Sequence, residues 1–298
     1  MIPNMKFYVI SIVAIFVALG IGIYIGFALD TQSFLIDQRD DIAQNLEERF
    51  DYLKGENQNL KLELKESKLE NENCKTYIDS TYEELVKDRL SGVKIGVIET
   101  IDDYMYSGIG QILETAGATV NSVVTINENI MDENALLKIY EELNIPTENS
   151  NLITKASLEI SKAIIEGESS DLIRKLEENR IIDIVGLIDE PVDYIVIAGG
   201  SVKENPRRLS LIDKTIIDIA KDMKVEIIGI EKSNTNYSYI DTYKNYKIST
   251  VDNINMTIGK VSLVLAMEGR PGHYGIKPTA EDIIPNLKLS LAEYSKER

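Results

Sequence analysis

The sequence has few of the residues that build a conventional chemical site. Among its 298 residues it has one cysteine, Cys74, one histidine, His273, and no tryptophan. A lone cysteine excludes an intrachain disulfide framework and a CxxC metal or redox site. A single imidazole without a nearby second histidine or cysteine does not make a zinc site. These shortages argue against a disulfide-stapled domain and against a conventional metalloenzyme.

Positive charge is also scarce. The chain carries 32 Lys and Arg against 49 Asp and Glu, which gives a formal net charge of −17 and a pI near 4.6. Such a chain repels phosphate backbones at long range, so we expect no nucleic-acid partner.

The motifs of common enzymes and nucleotide sites are missing too. No apolar run is followed by GxGxxG or GxxxxGK[ST], and there is no GxSxG or HExxH sequence. We therefore expect no catalytic residues, no nucleotide cofactor and no enzymatic activity.

What the sequence does contain begins with a long apolar segment. Residues 7–29 carry no charge and are long enough to cross about 30 Å of hydrocarbon as a helix. A cleaved signal peptide is the alternative, but the segment is longer than a usual signal core and its exit, GFALDTQSF, has no A-x-A site. The pattern predicts a single-pass membrane anchor.

The flanking charges predict its orientation. Lys6 precedes the segment, whereas acidic residues follow it at Asp30, Asp37, Asp40 and Asp41. Under the positive-inside rule, residues 1–6 form a short cytoplasmic N-terminus and the C-terminal domain is extracytoplasmic. Small residues recur at every fourth position and would let a second helix approach closely; they are Ala14, Ala18, Gly22 and Gly26. They predict a dimerisation face, although small residues are also ordinary in spanning helices.

Residues 30–90 contain no proline and show a heptad pattern. The predicted seam, at alternating a and d positions, comprises Leu46, Phe50, Leu53, Asn57, Leu60, Leu64, Asn71, Cys74, Ile78 and Leu85. Asparagine at a is tolerated chiefly in parallel dimers, so we predict a parallel homodimeric coiled-coil stalk. Polar Ser67 and Thr81 at d and Arg39 at d weaken the pattern, and a solvated helix that packs back on the domain is the alternative. Cys74 would face its symmetry mate, or simply fill the seam as a small apolar residue.

Residues 91–298 change to short apolar runs separated by helical patterns, which predicts a mostly parallel, Rossmann-like α/β domain. The predicted strands are 93–99, 119–126, 193–200, 225–231 and a weaker 246–251. The predicted helices are 106–116, 132–143, 153–166, 169–179, 209–222 and 253–268. Between residues 127 and 190 we predict a helical insertion without a strand, and from residue 268 a shaped loop that is neither helix nor strand.

One loop of this domain is a candidate ligand site. Gly199 and Gly200 end a predicted strand, and Arg207 and Arg208 precede the next helix. Such glycines can hold an anion at a helix N-terminus, or can simply form the turn. His273, in the C-terminal loop, is the remaining candidate.

The order of these segments resembles a known family. The chain is similar to the copper-transport outer-membrane protein family of the mycobacterial type, through an anchor that leads directly into a predicted coiled coil, an α/β domain with an IVIAGG strand end and a terminal GHYG segment. The matching residues are Ala18, Leu19, Gly20, Ile21, Gly22 and Gly26 in the anchor, and Gly199, Gly200, Gly272, Tyr274 and Gly275 in the domain.

The resemblance implies a cell-envelope protein associated with copper transport or homeostasis. Related proteins also resemble regulators of cell separation that act on peptidoglycan hydrolases, which implies a non-enzymatic scaffold with an envelope protein partner as the alternative. Copper itself is implied by the resemblance alone, because soft copper sites need clustered Cys, Met or His. The methionines of the domain are dispersed along the sequence, at Met105, Met131, Met223, Met256 and Met267.

Overall fold

The computed structural model describes residues 5–147 and 151–288, and side chains of residues 30–41 are outside the description. The chain divides into two compact units, Met1–Cys74 and Lys75–Arg298. The acidic residues at 30, 37, 40 and 41 and Arg39, on which the orientation and part of the heptad pattern rest, have side chains outside the described part. Residues 1–4 of the predicted cytoplasmic terminus lie outside it as well.

Helix α1 runs from Met5 to Val86 and forms the described part of the first unit. Its segment Met5–Leu29 has a mean hydropathy of 2.6 and is long enough to cross a membrane, with none of its residues buried. The predicted small-residue face lies on this segment, and an added Cβ at Gly22 or Gly26 would meet no other atom within 4 Å. The helix therefore presents a fully exposed apolar surface.

Between residues 42 and 74 the same helix exposes the predicted heptad seam. Leu46 is 62% exposed and Phe50 67% exposed, and Cys74 is a free, exposed thiol. The Asn71 amide donates to the Ser67 carbonyl oxygen at 3.1 Å, one turn earlier in its own helix. A helical stalk segment is thus present, and its pairing into a coiled coil stays a prediction.

In the second unit, seven strands within the described residues form one sheet in the order β3-β2-β1-β4-β5-β6-β7. The strands are β1 (Lys94–Glu99), β2 (Thr119–Ile126), β3 (Ile182–Gly186), β4 (Tyr194–Ala198), β5 (Glu226–Ile230), β6 (Ser249–Val251) and β7 (His273–Tyr274). All neighbouring pairs are parallel except β2 and β3. The mostly parallel α/β fold is confirmed.

Helices connect these strands. They are α2 (Ile109–Thr115), α3 (Glu133–Glu142), α4 (Leu152–Glu166), α5 (Asp171–Glu178), α6 (Pro206–Arg208), α7 (Lys214–Asp222), α8 (Ile240–Asn245) and α9 (Thr257–Met267), with a 3₁₀ turn at Glu128–Met131 and a π-helical turn at Leu209–Asp213. Side chains cap three helices of the insertion. The Asp132 carboxylate accepts from the backbone N–H groups of Asn134 and Ala135, Asn151 caps α4 in the same way, and the Ser170 hydroxyl caps α5.

Two sequence-based predictions about strands were wrong. The region 127–190 does contain a strand, β3, which lies antiparallel at the edge of the sheet. Because β3 buries only Ile182, it lacks the regular alternation of buried and exposed residues that would predict a strand. The C-terminal loop contains β7, where His273 and Tyr274 pair with Thr250 and Val251. Two residues bounded by glycines and prolines are too short for periodicity to detect. Helix α8 was not predicted either.

The apolar side chains of alternate strand residues divide the core between the two faces of the sheet. Ile195 and Ile197 pack with helices α3, α4, α5, α7 and α8, whereas Val196 and Ala198 pack with α2 and α9. The end of α1 belongs to the second cluster, because Val86 is fully buried there and Tyr82 packs against it. Arg89 also pairs with Glu268, at 2.7 Å. The α/β unit therefore includes the last turns of α1.

Candidate functional site at the carboxyl edge of the sheet

The carboxyl ends of the parallel strands bring polar residues together. Thr100 follows β1, Gly199 follows β4, Glu231 follows β5 and Asp252 follows β6. The chain leaves β1 toward β2 on one side, while β4 lies on the other, so the strand order reverses between β1 and β4. In open α/β sheets ligands usually bind in the crevice at such a reversal.

Here that crevice is filled by a buried arginine. Arg208 is 1% exposed, and its Nε donates to the Thr100 carbonyl oxygen at 2.8 Å. Its terminal nitrogens donate to the carbonyl oxygens of Ile126 and Asn127. The guanidinium thus closes the ends of β1 and β2, and Asn205 orients it by accepting from the Arg208 backbone N–H at 3.0 Å.

A buried carboxylate lies beside the arginine. Asp213 Oδ1 accepts from the Thr100 hydroxyl at 2.9 Å and from the Tyr243 hydroxyl. Within the described residues Asp213 Oδ2 has no hydrogen-bond partner. Burial raises the pKa of Asp213 to about 6, and the two hydroxyl donors and the positive charge of Arg208 oppose that rise. We call Thr100, Arg208, Asp213 and Tyr243 the switch-point cluster.

A second group of charges lies at the ends of β5 and β6. Glu231 is fully buried, pairs with Lys277 and accepts from the Tyr239 backbone N–H at 2.6 Å. Asp252, also fully buried, accepts from the backbone N–H groups of Ile276 and Lys277 at 2.8 and 2.9 Å. These carboxylates fix the C-terminal segment against the sheet, which is why that segment is ordered despite its glycines and prolines.

The predicted glycine loop is packed rather than open. A Cβ at Gly199 would collide with the ring and hydroxyl of Tyr243, and Gly200, at φ 90°, lies against the Glu231 side chain. The Gly199 carbonyl oxygen also accepts from the Tyr106 hydroxyl. Both glycines are needed because the backbone passes close to these side chains.

The other predicted ligand residues do not converge on this loop. Arg207 is exposed and pairs with Glu133, so it points away from its buried neighbour Arg208. His273 lies in β7, where its Nδ1 is 2.9 Å from the Thr250 hydroxyl oxygen. Among the described residues, no group of three or more His, Cys, Asp or Glu side chains is placed to hold a metal ion.

Sequence reasoning missed Asp213, Glu231, Asp252 and Lys277. Glu231 and Asp252 carry one available signal, since each directly follows an apolar strand at the edge where ligand sites form. Asp213 lies inside a helical pattern, where an acidic residue normally indicates a solvated face. Lys277 lies 46 positions from its partner along the chain. Such pairing does not follow from local spacing.

The model of a family described as copper transport outer membrane protein, MctB, matches residues 1–285. The chain belongs to this family. The match covers both the apolar N-terminal segment and the α/β unit. The predicted resemblance to the MctB family is therefore confirmed over nearly the whole of this chain. A comparison with curated proteins returned no match.

Proposed function

We propose that this MctB-family chain is a membrane-anchored, non-enzymatic envelope protein of copper homeostasis, and that its α/β unit binds no copper tightly. The switch-point cluster supports the non-enzymatic part of this proposal. The crevice that would hold a substrate is filled by Arg208, whose donors are used on backbone carbonyls. Family membership supplies the link to copper transport.

The distribution of soft ligands supports an indirect role in copper handling. Met105 and Met256 are 75% and 41% exposed, whereas Met267 is buried among apolar side chains of the core. The thiol of Cys74 lies on α1, outside the α/β unit. Tight Cu(I) binding uses two or more soft ligands together, so copper would be handled through a partner.

The chain is proposed to be a parallel homodimer whose contacts are made by α1. Exposed leucines along residues 42–74 support this, because apolar side chains in a regular stripe are stabilised by a second helix. The small-residue face at Ala14, Ala18, Gly22 and Gly26 would extend the contact into the membrane.

A double substitution tests the dimer. Asn57→Leu with Asn71→Leu replaces amides at two a positions and should raise the melting temperature of a fragment of residues 31–90 while relaxing its oligomeric state. The matched control is Asn59→Leu with Asn73→Leu, which makes the same change at c positions and should leave both unchanged. A parent fragment that stays monomeric and unfolded at high concentration in analytical ultracentrifugation would contradict the dimer.

The same stripe favours a second candidate function. An exposed apolar helix can also bind a different envelope protein, as a scaffold that regulates peptidoglycan hydrolases would. The two functions differ in what a deletion strain shows. Loss of copper handling predicts copper sensitivity at normal cell shape, whereas loss of a hydrolase regulator predicts defective cell separation at normal copper tolerance.

The orientation is proposed from the charges that flank the anchor. With Lys6 in the cytoplasm, the α/β unit is extracytoplasmic. Protease added to intact protoplasts should then digest the α/β unit while leaving cytoplasmic marker proteins intact. An α/β unit that survives until the membrane is lysed would reverse the orientation.

The deletion strain tests the proposed function as a whole. It should become copper-sensitive, and the full-length chain should restore tolerance. A His273→Ala chain should restore it equally well, because the imidazole is not proposed as a ligand. Unchanged copper tolerance in the deletion strain would refute the copper role.

A further inference from the structure

Next to the filled crevice, the carboxyl edge of the sheet has an open pocket of about 270 Å³. Its lining includes Tyr106, Ser107, Lys232, Ile254, Asn255 and Lys260, and we call it the edge pocket. The residues come from the loops after β1, β5 and β6 and from the first turns of α9. The pocket thus lies where parallel sheets commonly bind ligands, and the function proposed above does not use it.

Two half-buried lysines converge on this pocket. Lys232 directly follows Glu231 at the end of β5, and its Nζ lies 5.6 Å from the centre of the Tyr106 ring. Lys260 comes from α9 and reaches the turn at Gly108, before α2. Within the described residues, neither ammonium group has a carboxylate within ion-pair distance. In a chain with a net charge of −17, two ammonium groups thus line one pocket without an ion-pair partner among the described residues.

The carboxylates near the pocket are already engaged elsewhere. Glu231 pairs with Lys277, and Asp252 accepts from backbone N–H groups. Glu99 accepts from the Thr125 hydroxyl at 2.7 Å. None of these carboxylates forms an ion pair with Lys232 or Lys260, so both ammonium groups can bind a group from outside the chain.

Neutral donors complete the pocket. Asn255 Oδ1 accepts from the Ser233 backbone N–H at 2.8 Å, so the amide nitrogen of the same side chain is left as a donor. The Ser107 hydroxyl lines the pocket as well. Helix α9 begins at Thr257, two positions after Asn255, and no side chain caps its first N–H groups. These donors, like the lysines, favour an anion.

We propose that the edge pocket binds a small anion of the phosphate class, either free phosphate or the phosphate group of a monoester. Two ammonium groups match the charge of about −1.5 to −2 that a phosphate monoester carries at neutral pH. A water occupies about 30 Å³ of liquid, so the pocket has room for an organic group attached to the phosphate.

Calorimetric titration of the full-length chain in detergent micelles tests the site, with inorganic phosphate and O-phosphoserine as separate probes. At least one probe should bind with one-to-one stoichiometry. Lys232→Gln and Lys260→Gln should each weaken that binding by about tenfold or more, since each removes a charged donor. Lys224→Gln and Lys247→Gln are matched controls, because these exposed lysines precede β5 and β6 at the opposite edge. They should leave the affinity unchanged.

A second measurement uses only the wild-type chain, so it does not depend on whether the variants fold. In the wild-type chain, saturating probe should slow chemical acetylation of Lys232 and Lys260 and leave Lys224 and Lys247 unaffected, as followed by mass spectrometry. The proposal would be overturned if neither inorganic phosphate nor O-phosphoserine binds. So would binding that persists when both pocket lysines are replaced, or acetylation of Lys232 and Lys260 at the same rate with and without probe.

Discussion

The two units of the chain use the same apolar residues in opposite ways. Among the described side chains of helix α1 up to Cys74, isoleucine, valine and leucine lie on the surface, whereas in the unit from Lys75 onward they fill two clusters on either side of a sheet. Exposed apolar surface of this extent is not stable in water. The first unit is therefore proposed to be covered by a membrane and a partner, whereas the second unit buries its own apolar side chains.

Polar residues show the reverse contrast. The helix between residues 42 and 74 exposes its charges to solvent, whereas the α/β unit buries Arg208, Asp213, Glu231 and Asp252 almost completely. A buried charge is tolerated only when hydrogen bonds replace its water, and most of these side chains have several such bonds. Stability of the α/β unit should therefore respond strongly to changes at these positions.

The largest effect is expected from the buried arginine. Arg208→Ala removes the donors to the carbonyl oxygens of Thr100 and Ile126 and the positive charge beside Asp213. The free energy of unfolding should fall by about 3–5 kcal/mol, measured by urea denaturation of a fragment of residues 75–298. Arg207→Ala, the adjacent exposed residue, should cost at most about 1 kcal/mol. Equal losses for the two would contradict the proposed role of burial.

A pair of leucines sharpens the contrast between the units. Leu136→Ala, in the core cluster that includes α3, should lower the free energy of unfolding by about 2–5 kcal/mol, because a fully buried side chain is lost. Leu62→Ala, at a predicted f position of α1 and 60% exposed, should change stability by less than about 0.5 kcal/mol. Thermal denaturation of the full-length chain in detergent compares the two, and a large loss at Leu62 would mean that the stripe assignment is wrong.

Titration of Asp213 should give a smaller, pH-dependent effect. Its native pKa of about 6 exceeds the unfolded value of about 3.9, so between those values the native state binds more protons than the unfolded state. The free energy of unfolding should therefore fall by about 2–3 kcal/mol as pH rises from 4 to above 6. Asp213→Asn should remove this slope in urea denaturation at a series of pH values. A slope that persists in the variant would assign it to another group.

Much of the fold could be predicted from the local pattern of apolar residues along the sequence. Buried parallel strands such as β4 and β5 read as continuous apolar runs, and helix α4 has an apolar stripe and a capping asparagine. Strand β3 was not predicted because Val185 and its neighbours are exposed at the edge of the sheet. Helix α8 was not predicted because a helix of six residues has too few turns to show periodicity.

The sequence predicted the residues of the candidate site less well than it predicted the fold. Gly199, Gly200 and Arg208 were correctly placed near the sheet edge, but nothing local distinguishes a guanidinium that binds carbonyls from one that binds a ligand. Lys277 with Glu231, and Lys232 with Lys260, meet only through tertiary folding. Spacing along a sequence cannot report such contacts.

Copper is proposed not to be held by the α/β unit itself. A fragment of residues 75–298 retains the core residues Val86 and Leu90, lacks Cys74, and offers His273 and dispersed methionines as soft or nitrogen ligands. It should be titrated with Cu(I) against a competing chelator, with His273→Ala, Met105→Leu and Met256→Leu fragments alongside. The prediction is no stoichiometric binding tighter than micromolar in any of them. Stoichiometric binding tighter than micromolar that is lost in one of the three variants would contradict the claim and identify the ligand.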